Sequence, residues 1–97
     1  PENTLAAFQR AIDCRADGIE FDVRLAADGV PVVIHDPSLK RTAGRRGKVA
    51  AYSSEELSHI DVGSWFSRSG KDGTRAEFAD ERIVTLASAL EFLKGFR

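Results

Sequence analysis

Two acidic residues and a histidine-aspartate pair interrupt the apolar stretches on either side of Asp28-Gly29. Glu20 and Asp22 occupy alternate positions before this dipeptide, and His35 and Asp36 follow it. Carboxylates two positions apart on a strand repel each other unless a cation or base neutralises them. Hard oxygen ligands suit Mg²⁺ or Ca²⁺, and a nearby histidine can transfer protons close to neutral pH. These residue types indicate metal-assisted attack on an oxyanion such as a phosphate.

A second interpretation of the same residues requires no chemistry. Glu20 and Asp22 then lie on the solvated face of a strand, where Arg24 pairs with one of them. A single histidine such as His35 is more often a hydrogen-bonded structural residue than a catalyst. Pattern and spacing alone leave both interpretations open.

The apolar stretches at residues 19–25 and 30–35 are predicted to form an antiparallel hairpin. Only a few residues separate them, whereas a parallel crossover needs about a dozen or more. Asp-Gly favours a two-residue type I′ turn, because both central positions need positive φ. That turn places His35 opposite Asp22, whereas a three-residue loop places His35 opposite Phe21.

We predict the two-residue turn because of the hydrophobic pattern. It keeps Val30, Val32 and Ile34 on the side of the ribbon that also carries the apolar residues of the first strand. Glu20, Asp22 and His35 would then share the other face.

Helical patterns precede and follow the predicted hairpin. Residues 1–18 form the first helix, which Asn3 or Thr4 caps and Asp17-Gly18 ends. A short helix is predicted after Ser53, because its spacing to a glutamate three residues later matches a capping box.

The last helix is predicted to begin after Thr85 and to end at Gly95, with Leu86, Leu90 and Leu93 along one face. Residues 67–75 are predicted to form a polar loop. The order helix, strand, strand, irregular region, helix indicates an α/β fold with an insertion.

Composition narrows the possible functions. The chain has 97 residues, 42% of them hydrophobic, which is typical of a small globular domain. Its net charge of −1 provides no polycationic field for nucleic acid. No apolar run approaches the roughly 18 residues of a membrane span. The single cysteine, Cys14, allows neither an intramolecular disulfide nor a zinc cluster, and we expect it to be packed.

Two further groups of residues have both a functional and a structural interpretation. Trp65 and Phe66 could form the wall of an apolar substrate pocket, although packing beneath the insertion is the simpler explanation. A basic loop could bind phosphate or nucleic acid, but the near-zero net charge and the lack of interleaved aromatic residues favour a solvated loop. Its cationic residues are Lys40, Arg41, Arg45, Arg46 and Lys48.

Five segments in order resemble the glycerophosphodiester phosphodiesterase family. They are residues 1–4 (PENT), 16–23 (ADGIEFDV), 28–36 (DGVPVVIHD) followed by Leu39 and Arg41-Thr42, 63–66 (GSWF) and 83–86 (IVTL). The resemblance covers nearly the whole chain. It implies a (β/α)₈ barrel that hydrolyses glycerophosphodiesters to glycerol 3-phosphate and an alcohol, using a divalent metal such as Mg²⁺ or Ca²⁺.

The resemblance also implies roles for individual residues. Glu20 and Asp22 match metal ligands, and His35 matches one member of a catalytic histidine pair, as general acid on the leaving alkoxide. Glu2 matches a glutamate close to the site. With Trp65 and Phe66 it is a candidate substrate-binding residue, and the expected partner is a small glycerophosphodiester.

The same resemblance predicts how the chain is divided. Residues of about 1–27 would supply a barrel helix and the second barrel strand, about 30–82 the insertion, and about 85–95 the next helix. An antiparallel hairpin partner agrees with this, because successive barrel strands are parallel. The family's first strand with its His-Arg-Gly motif and its third acidic ligand have no counterpart here, and Val84 replaces a common proline. We therefore expect a fragment of one such domain, inactive by itself.

Three alternatives differ in kind. A phospholipase C-like or D-like lyase would share the acidic and histidine elements but leave a cyclic phosphate as its final product. A binding module that retains the fold would carry substitutions in the upstream His-Arg-Gly segment. A scaffold with solvated acids would bind neither Ca²⁺ nor Mg²⁺.

Overall fold

A computed structural model of the chain describes residues 1–66 and 77–95. Its helices are α1 (Leu5–Asp13), α2 (Lys40–Ala43), α3 (Ser54–Leu57) and α4 (Leu86–Lys94), with a 3₁₀ turn at Val49–Ala51. Strands β1 (Val23–Leu25) and β2 (Pro31–Val33) pair in an antiparallel hairpin, as predicted. The predicted polar loop at residues 67–75 lies outside the described residues. Within the described ranges, no helix is long and apolar enough to cross a membrane.

The hairpin contains a three-residue loop, so the predicted two-residue register is wrong. Val23 pairs with Val33, and the amide of Gly29 donates to the carbonyl of Ala26 (2.9 Å) to close the turn. Gly29 adopts a φ of 78°, the left-handed conformation that ends the common three-residue hairpin loop. The Asp-Gly pair serves this loop as well as a two-residue one, because only the glycine needs positive φ.

Burial of β2 on both faces explains this register. Val32 and Ile34 pack into a core formed with the insertion, whereas Val33 points the other way and packs with Phe8 of α1 and Ala89 of α4. A slip of one residue would exchange the two faces. Ile19 and Phe21 therefore share their core with Val33, and not with Val32 and Ile34 as predicted. Val23 and Leu25, also predicted to lie on the apolar side of the first strand, are exposed.

The larger core lies between the hairpin and the insertion. Its buried members are Ala26, Val32, Ile34, Leu39, Val49, Leu57, Ile60, Val62 and Ile83. The predicted capping box is confirmed at α3: Ser53 Oγ accepts from the amide of Glu56 (3.1 Å), and Glu56 Oε1 accepts from the amide of Ser53 (2.9 Å). This cap helps hold the fully buried Leu57 in the core.

Helix α1 ends earlier than predicted. Its last residue is Asp13, and Arg15 adopts a φ of 59°. The amide of Ala16 donates to the carbonyl of Ala11 (3.0 Å) in the pattern of a Schellman motif. Arginine at this position gave no helix-stop signal, unlike the later Asp-Gly. Cys14 caps the helix and is exposed, so its predicted packing is also wrong.

Helix α4 begins and ends as predicted, but its predicted apolar face is only partly buried: Leu93 packs against the core, whereas Leu90 does not. Thr85 Oγ1 accepts from the amide of Ser88 (3.1 Å), and Gly95 follows the last helical residue. Ala89 is fully buried, whereas Leu90 is 52% exposed. The small side chain of Ala89 lets the helix lie close to β2, which rotates the leucine away from the core.

The first strand is shorter than the predicted residues 19–25. Ile19 and Phe21 pack against the core beside α1 and α4, but strand pairing begins only at Val23. On the other edge of β2, the amide of Val33 donates to the carbonyl of Val84 (2.9 Å). The chain thus forms an α/β fold centred on β2.

The backbone of Phe78 approaches Gly63 closely, so a side chain at this position should destabilise the fold. A Cβ there would collide with the carbonyl of Phe78 and lie 2.9 Å from the Cβ of Glu81. We expect Gly63→Ala to lower the free energy of unfolding by about 1–3 kcal/mol, because backbone must move. Gly18→Ala is the matched control, since its Cβ would meet no atom within 4 Å. Urea denaturation of both variants tests this, and equal midpoints would contradict it.

Candidate active site

The segment before α1 positions side chains beside the first strand. Thr4 is fully buried, accepts from the amide of Ala7 (3.2 Å) and donates to the carbonyl of Pro1 (2.6 Å). Asn3 adopts a φ of 57°, a conformation that asparagine tolerates. Its Nδ2 donates to Asp22 Oδ2, and its Oδ1 accepts from the amide of Asp22, both at 3.2 Å. Asn3 thereby fixes both the carboxylate and the backbone of this aspartate.

The two predicted metal ligands lie together at the surface. Glu20 is exposed and Asp22 is half-buried, and both line one surface depression with Glu2 and Asn3. Arg24 pairs with neither acid, because its Nε donates to the backbone carbonyl of His35 (2.7 Å). Two carboxylates with nearby space for water are therefore available to a cation.

This donor set fits a hard divalent ion. Among residues 1–66 and 77–95, no group of three His, Cys, Asp or Glu side chains could hold a metal ion by itself. Mg²⁺ in proteins is usually bound by one or two carboxylates, with water and substrate phosphate oxygens completing the coordination. Glu20 and Asp22 meet that minimum.

His35 is oriented by its neighbour in sequence. Its Nδ1 lies 2.8 Å from Asp36 Oδ1. An ionised carboxylate only accepts hydrogen bonds, so Nδ1 must carry the proton. The His35 side chain is 62% exposed, and among the described residues no hydrogen bond involves Nε2. The imidazole therefore presents Nε2 to solvent or to a ligand.

Arg41 binds two carboxylates at once. Its NH1 and NH2 groups donate to the two oxygens of Glu2, both at 2.8 Å. Its Nε and NH2 donate to the two oxygens of Asp36, at 2.9 and 3.0 Å. These bidentate contacts join the segment before α1 to the residue that holds His35.

Trp65 lies against this arginine. The Arg41 guanidinium is 5.5 Å from the centre of the indole ring, within range for a cation–π interaction. The indole N–H donates to the carbonyl of Val62 (2.8 Å). Phe66 is 57% exposed and packs edge-on against Trp65, with ring centres 5.9 Å apart. The aromatic pair therefore borders the charged network.

The contacts shift the pKa values of the network in consistent directions. Hydrogen bonding to Asp36, with the charges of Asp22 and Glu2, raises the pKa of His35. Hydrogen bonds from Arg41, then from His35, hold the pKa of Asp36 well below its usual range. Arg41 likewise lowers the pKa of Glu2. The carboxylates stay ionised, and the imidazolium persists to higher pH than in an isolated histidine.

The structure brings some predicted residues together and adds others. Glu20, Asp22 and Glu2 line one depression, and the charge of Asp22 acts on His35 although the two are not cross-strand partners. Sequence reasoning assigned Arg41 to a solvated basic loop and gave no site role to Asp36 or Asn3. The available signal was that these residues lie inside the family-like segments.

The chain is similar to solved structures of bacterial phosphodiesterases. One is the glycerophosphodiester phosphodiesterase of Agrobacterium tumefaciens, with a TM-score of 0.85 and 41% identity over 98% of this chain and 38% of that one. Another is a phosphodiesterase of Oleispira antarctica in complex with the product sn-glycerol-3-phosphate, with a TM-score of 0.86 and 35% identity over 99% of this chain and 36% of that one. The fold is thus that of a class of α/β phosphodiesterases.

Within that class, the chain belongs to the glycerophosphoryl diester phosphodiesterase family, whose profile matches residues 1–96. A glycerophosphodiester phosphodiesterase of Caldanaerobacter subterraneus is 44% identical over 93 residues, which are 96% of this chain. The Bacillus subtilis protein YhdW, a putative glycerophosphodiester phosphodiesterase, is 43% identical over 91 residues, or 94% of this chain. The chain spans 35% and 34% of the lengths of these two relatives. The family resemblance is confirmed.

The His35–Asp36 contact predicts a measurable change in protonation. We expect Asp36→Asn to lower the pKa of His35, because a neutral amide no longer stabilises the imidazolium. NMR titration of the imidazole measures this directly. Asp17→Asn, which removes an exposed carboxylate outside the network, is the control and should leave the pKa unchanged. A His35 pKa unaffected by Asp36→Asn would show that the carboxylate does not bind the ring in solution.

Proposed function

We propose that the full-length protein hydrolyses glycerophosphodiesters to glycerol 3-phosphate and an alcohol, with the help of a divalent metal. One observation carries this proposal: in a chain of this family, Asp36 holds Nδ1 of His35 at 2.8 Å, and the residue before His35 donates its amide to the carbonyl of Asp22 (2.9 Å), which brings the histidine next to this acid. The Oleispira antarctica relative was solved with sn-glycerol-3-phosphate as its product, which agrees with this substrate class.

Glu20 and Asp22 would hold the metal, which we expect to be Mg²⁺ or Ca²⁺. When bound, such an ion polarises a phosphoryl oxygen as a Lewis acid and neutralises developing charge. Asn3 keeps the Asp22 carboxylate facing the depression through its amide hydrogen bond. The exposed Glu20 can adjust its position when a ligand binds.

His35 would act as the general acid. Asp36 holds Nδ1, so the proton available to a substrate is the one on Nε2 of the imidazolium. The raised pKa of His35 keeps that form populated near neutral pH. Nε2 would donate its proton to the alkoxide as it leaves phosphorus, and the neutral ring would then recover a proton from solvent. We place activation of the attacking hydroxyl on a histidine outside these 97 residues.

Glu2, Trp65 and Phe66 stay predicted substrate-binding residues. Glu2 and Phe66 line one cleft, and Trp65 borders it through its contact with Phe66. Both Glu2 oxygens accept hydrogen bonds from Arg41, so its contribution would be through the arrangement of the cleft more than through direct contact with substrate.

We also infer how the chain would fit a (β/α)₈ barrel domain. Residues of about 1–27 would contribute a helix and the second strand, about 30–82 the insertion, and about 85–95 the next helix. The antiparallel β2 and its core with the insertion support this division. On this proposal a complete site, and activity, belong to the full-length protein.

The role of His35 gives the first functional prediction. In the full-length protein, we expect His35→Ala to lower kcat by about 10²–10⁴-fold, the usual contribution of general acid catalysis. His59→Ala is the matched control, since this exposed histidine lies just after α3 and outside the network. Release of glycerol 3-phosphate measures turnover. Equal activity of both variants would exclude His35 as the acid, and a cyclic phosphate as final product would indicate a lyase.

The assignment of Glu20 and Asp22 as metal ligands gives the second functional prediction. We expect EDTA to abolish activity, and Mg²⁺ or Ca²⁺ to restore it. Loss of an outer-shell partner typically costs about 10–100-fold in metal affinity, so loss of the ligand charge in Asp22→Asn should raise the half-activating metal concentration by at least about 100-fold. Asp17→Asn should leave it unchanged. Activity that is insensitive to EDTA would show that the acids serve another purpose.

A further inference from the structure

We propose that Arg41 is a positioning residue: it fixes Asp36 in the orientation from which Asp36 binds Nδ1 of His35 and leaves Nε2 directed to substrate. The inference rests on the proposed function, in which His35 is the proton donor. It assigns to one residue of the basic loop a specific part in the reaction.

Few contacts hold the His35 side chain in place. Its side chain is 62% exposed, and its ring makes one hydrogen bond among the described residues, to Asp36 Oδ1. The direction of Nε2 therefore depends on the orientation of the Asp36 carboxylate. That side chain is itself 23% exposed and lies in the segment that follows β2.

Arg41 determines the plane of this carboxylate. Its Nε donates to Asp36 Oδ2 at 2.9 Å, and its NH2 donates to Oδ1 at 3.0 Å. Two parallel bonds to two oxygens prevent rotation of the carboxylate, which a single bond would allow. Oδ1 then has one lone pair directed at Arg41 and another at His35.

The second donor edge of the guanidinium, which shares NH2 with the first, anchors it to the segment before α1. NH1 and NH2 donate to the two oxygens of Glu2, two residues before Thr4, which is fully buried. The indole of Trp65 covers the guanidinium at 5.5 Å. Arg41 thus contacts Glu2, Asp36 and Trp65 at once, and its fixed position restricts the orientation of the Asp36 carboxylate.

The geometry requires arginine and not merely a positive charge. The four bonds to Glu2 and Asp36 use both edges of the planar guanidinium, with its five N–H donors in fixed directions. A lysine ammonium is a compact point charge without this fork. Arg41→Lys therefore keeps the charge and removes the positioning.

A purely structural ion pair is the competing explanation. The side chains of Arg41 and Glu2 are 44% and 38% exposed, and ion pairs at such exposure contribute little to stability. A structural role would also reduce activity on every substrate to the same extent. A positioning role would reduce only the steps that need a proton from His35.

Leaving-group dependence separates the two explanations. In the full-length protein, an alkyl ester of glycerol 3-phosphate needs protonation of its leaving alkoxide, whereas a p-nitrophenyl ester does not. We expect Arg41→Lys to lower kcat at least about tenfold on the alkyl ester and by no more than about twofold on the aryl ester. Arg46→Lys, the control from the same loop, should change neither rate. Equal losses on both esters, or none, would overturn the proposal.

A double-mutant cycle tests whether Arg41 acts through Asp36. If it does, Arg41→Lys combined with Asp36→Asn should lower the alkyl-ester rate no further than Asp36→Asn alone, because residues in one network are not additive. Independent, multiplying losses would contradict the inference. Circular dichroism of each variant confirms that the comparison is between folded proteins.

One measurement does not depend on the proposed reaction. ¹⁵N NMR of neutral His35 should show the Nδ1–H tautomer in the unmodified protein and a shift towards the Nε2–H tautomer in Arg41→Lys. If the unmodified protein hydrolyses neither ester, the proposed function fails, and the tautomer alone decides whether Arg41 positions the ring. An unchanged tautomer would overturn the positioning role whatever the activity.

Discussion

The burial of β2 on both faces is the constraint on which the rest of the structure depends. Val33 fills the core beside α1 and α4, and Val32 and Ile34 fill the core beneath the insertion. A strand covered on both faces cannot slip by one residue without exposing apolar side chains and burying the wrong ones. The position of His35-Asp36, directly after this strand, is therefore fixed relative to α1 and to the segment that precedes it.

The charged network uses that fixed spacing. Glu2 comes from the segment before α1, and Asp36 follows β2, so a rigid fork such as Arg41 can span them only if both elements are already in place. Arg41 orients these carboxylates more than it stabilises the fold, because exposed ion pairs contribute little free energy. Bidentate geometry still limits the orientations open to each carboxylate. The buried core thus fixes the distance between Glu2 and Asp36, and the polar network fixes the orientation of their carboxylates.

Sequence reasoning succeeded where the signal was local. The Ser53 and Thr85 caps depend on a hydroxyl and an amide three residues apart, and both were predicted. The hairpin register was not, because an Asp-Gly pair suits loops of two and three residues, and burial of β2 from both sides decided between them. The same lack of tertiary information left the fully buried Ala89 out of the predicted face of α4 and included the exposed Leu90.

The residues of the candidate site differ in the same way: some have a local sequence signal, and others are identified only by tertiary contacts. Glu20, Asp22 and His35 could be proposed as candidates from the sequence because they lie within one short ribbon and carry chemistry that a strand does not need for packing. The sequence does not distinguish Arg41 from Arg45, because both lie in the same basic loop. In the structure too, each guanidinium lies over an aromatic ring, at 5.5 Å from Trp65 and 5.4 Å from Tyr52 respectively. What distinguishes Arg41 is the pair of carboxylates on its edges. One of them lies 39 positions away in sequence, so only the folded chain gives this arginine its role.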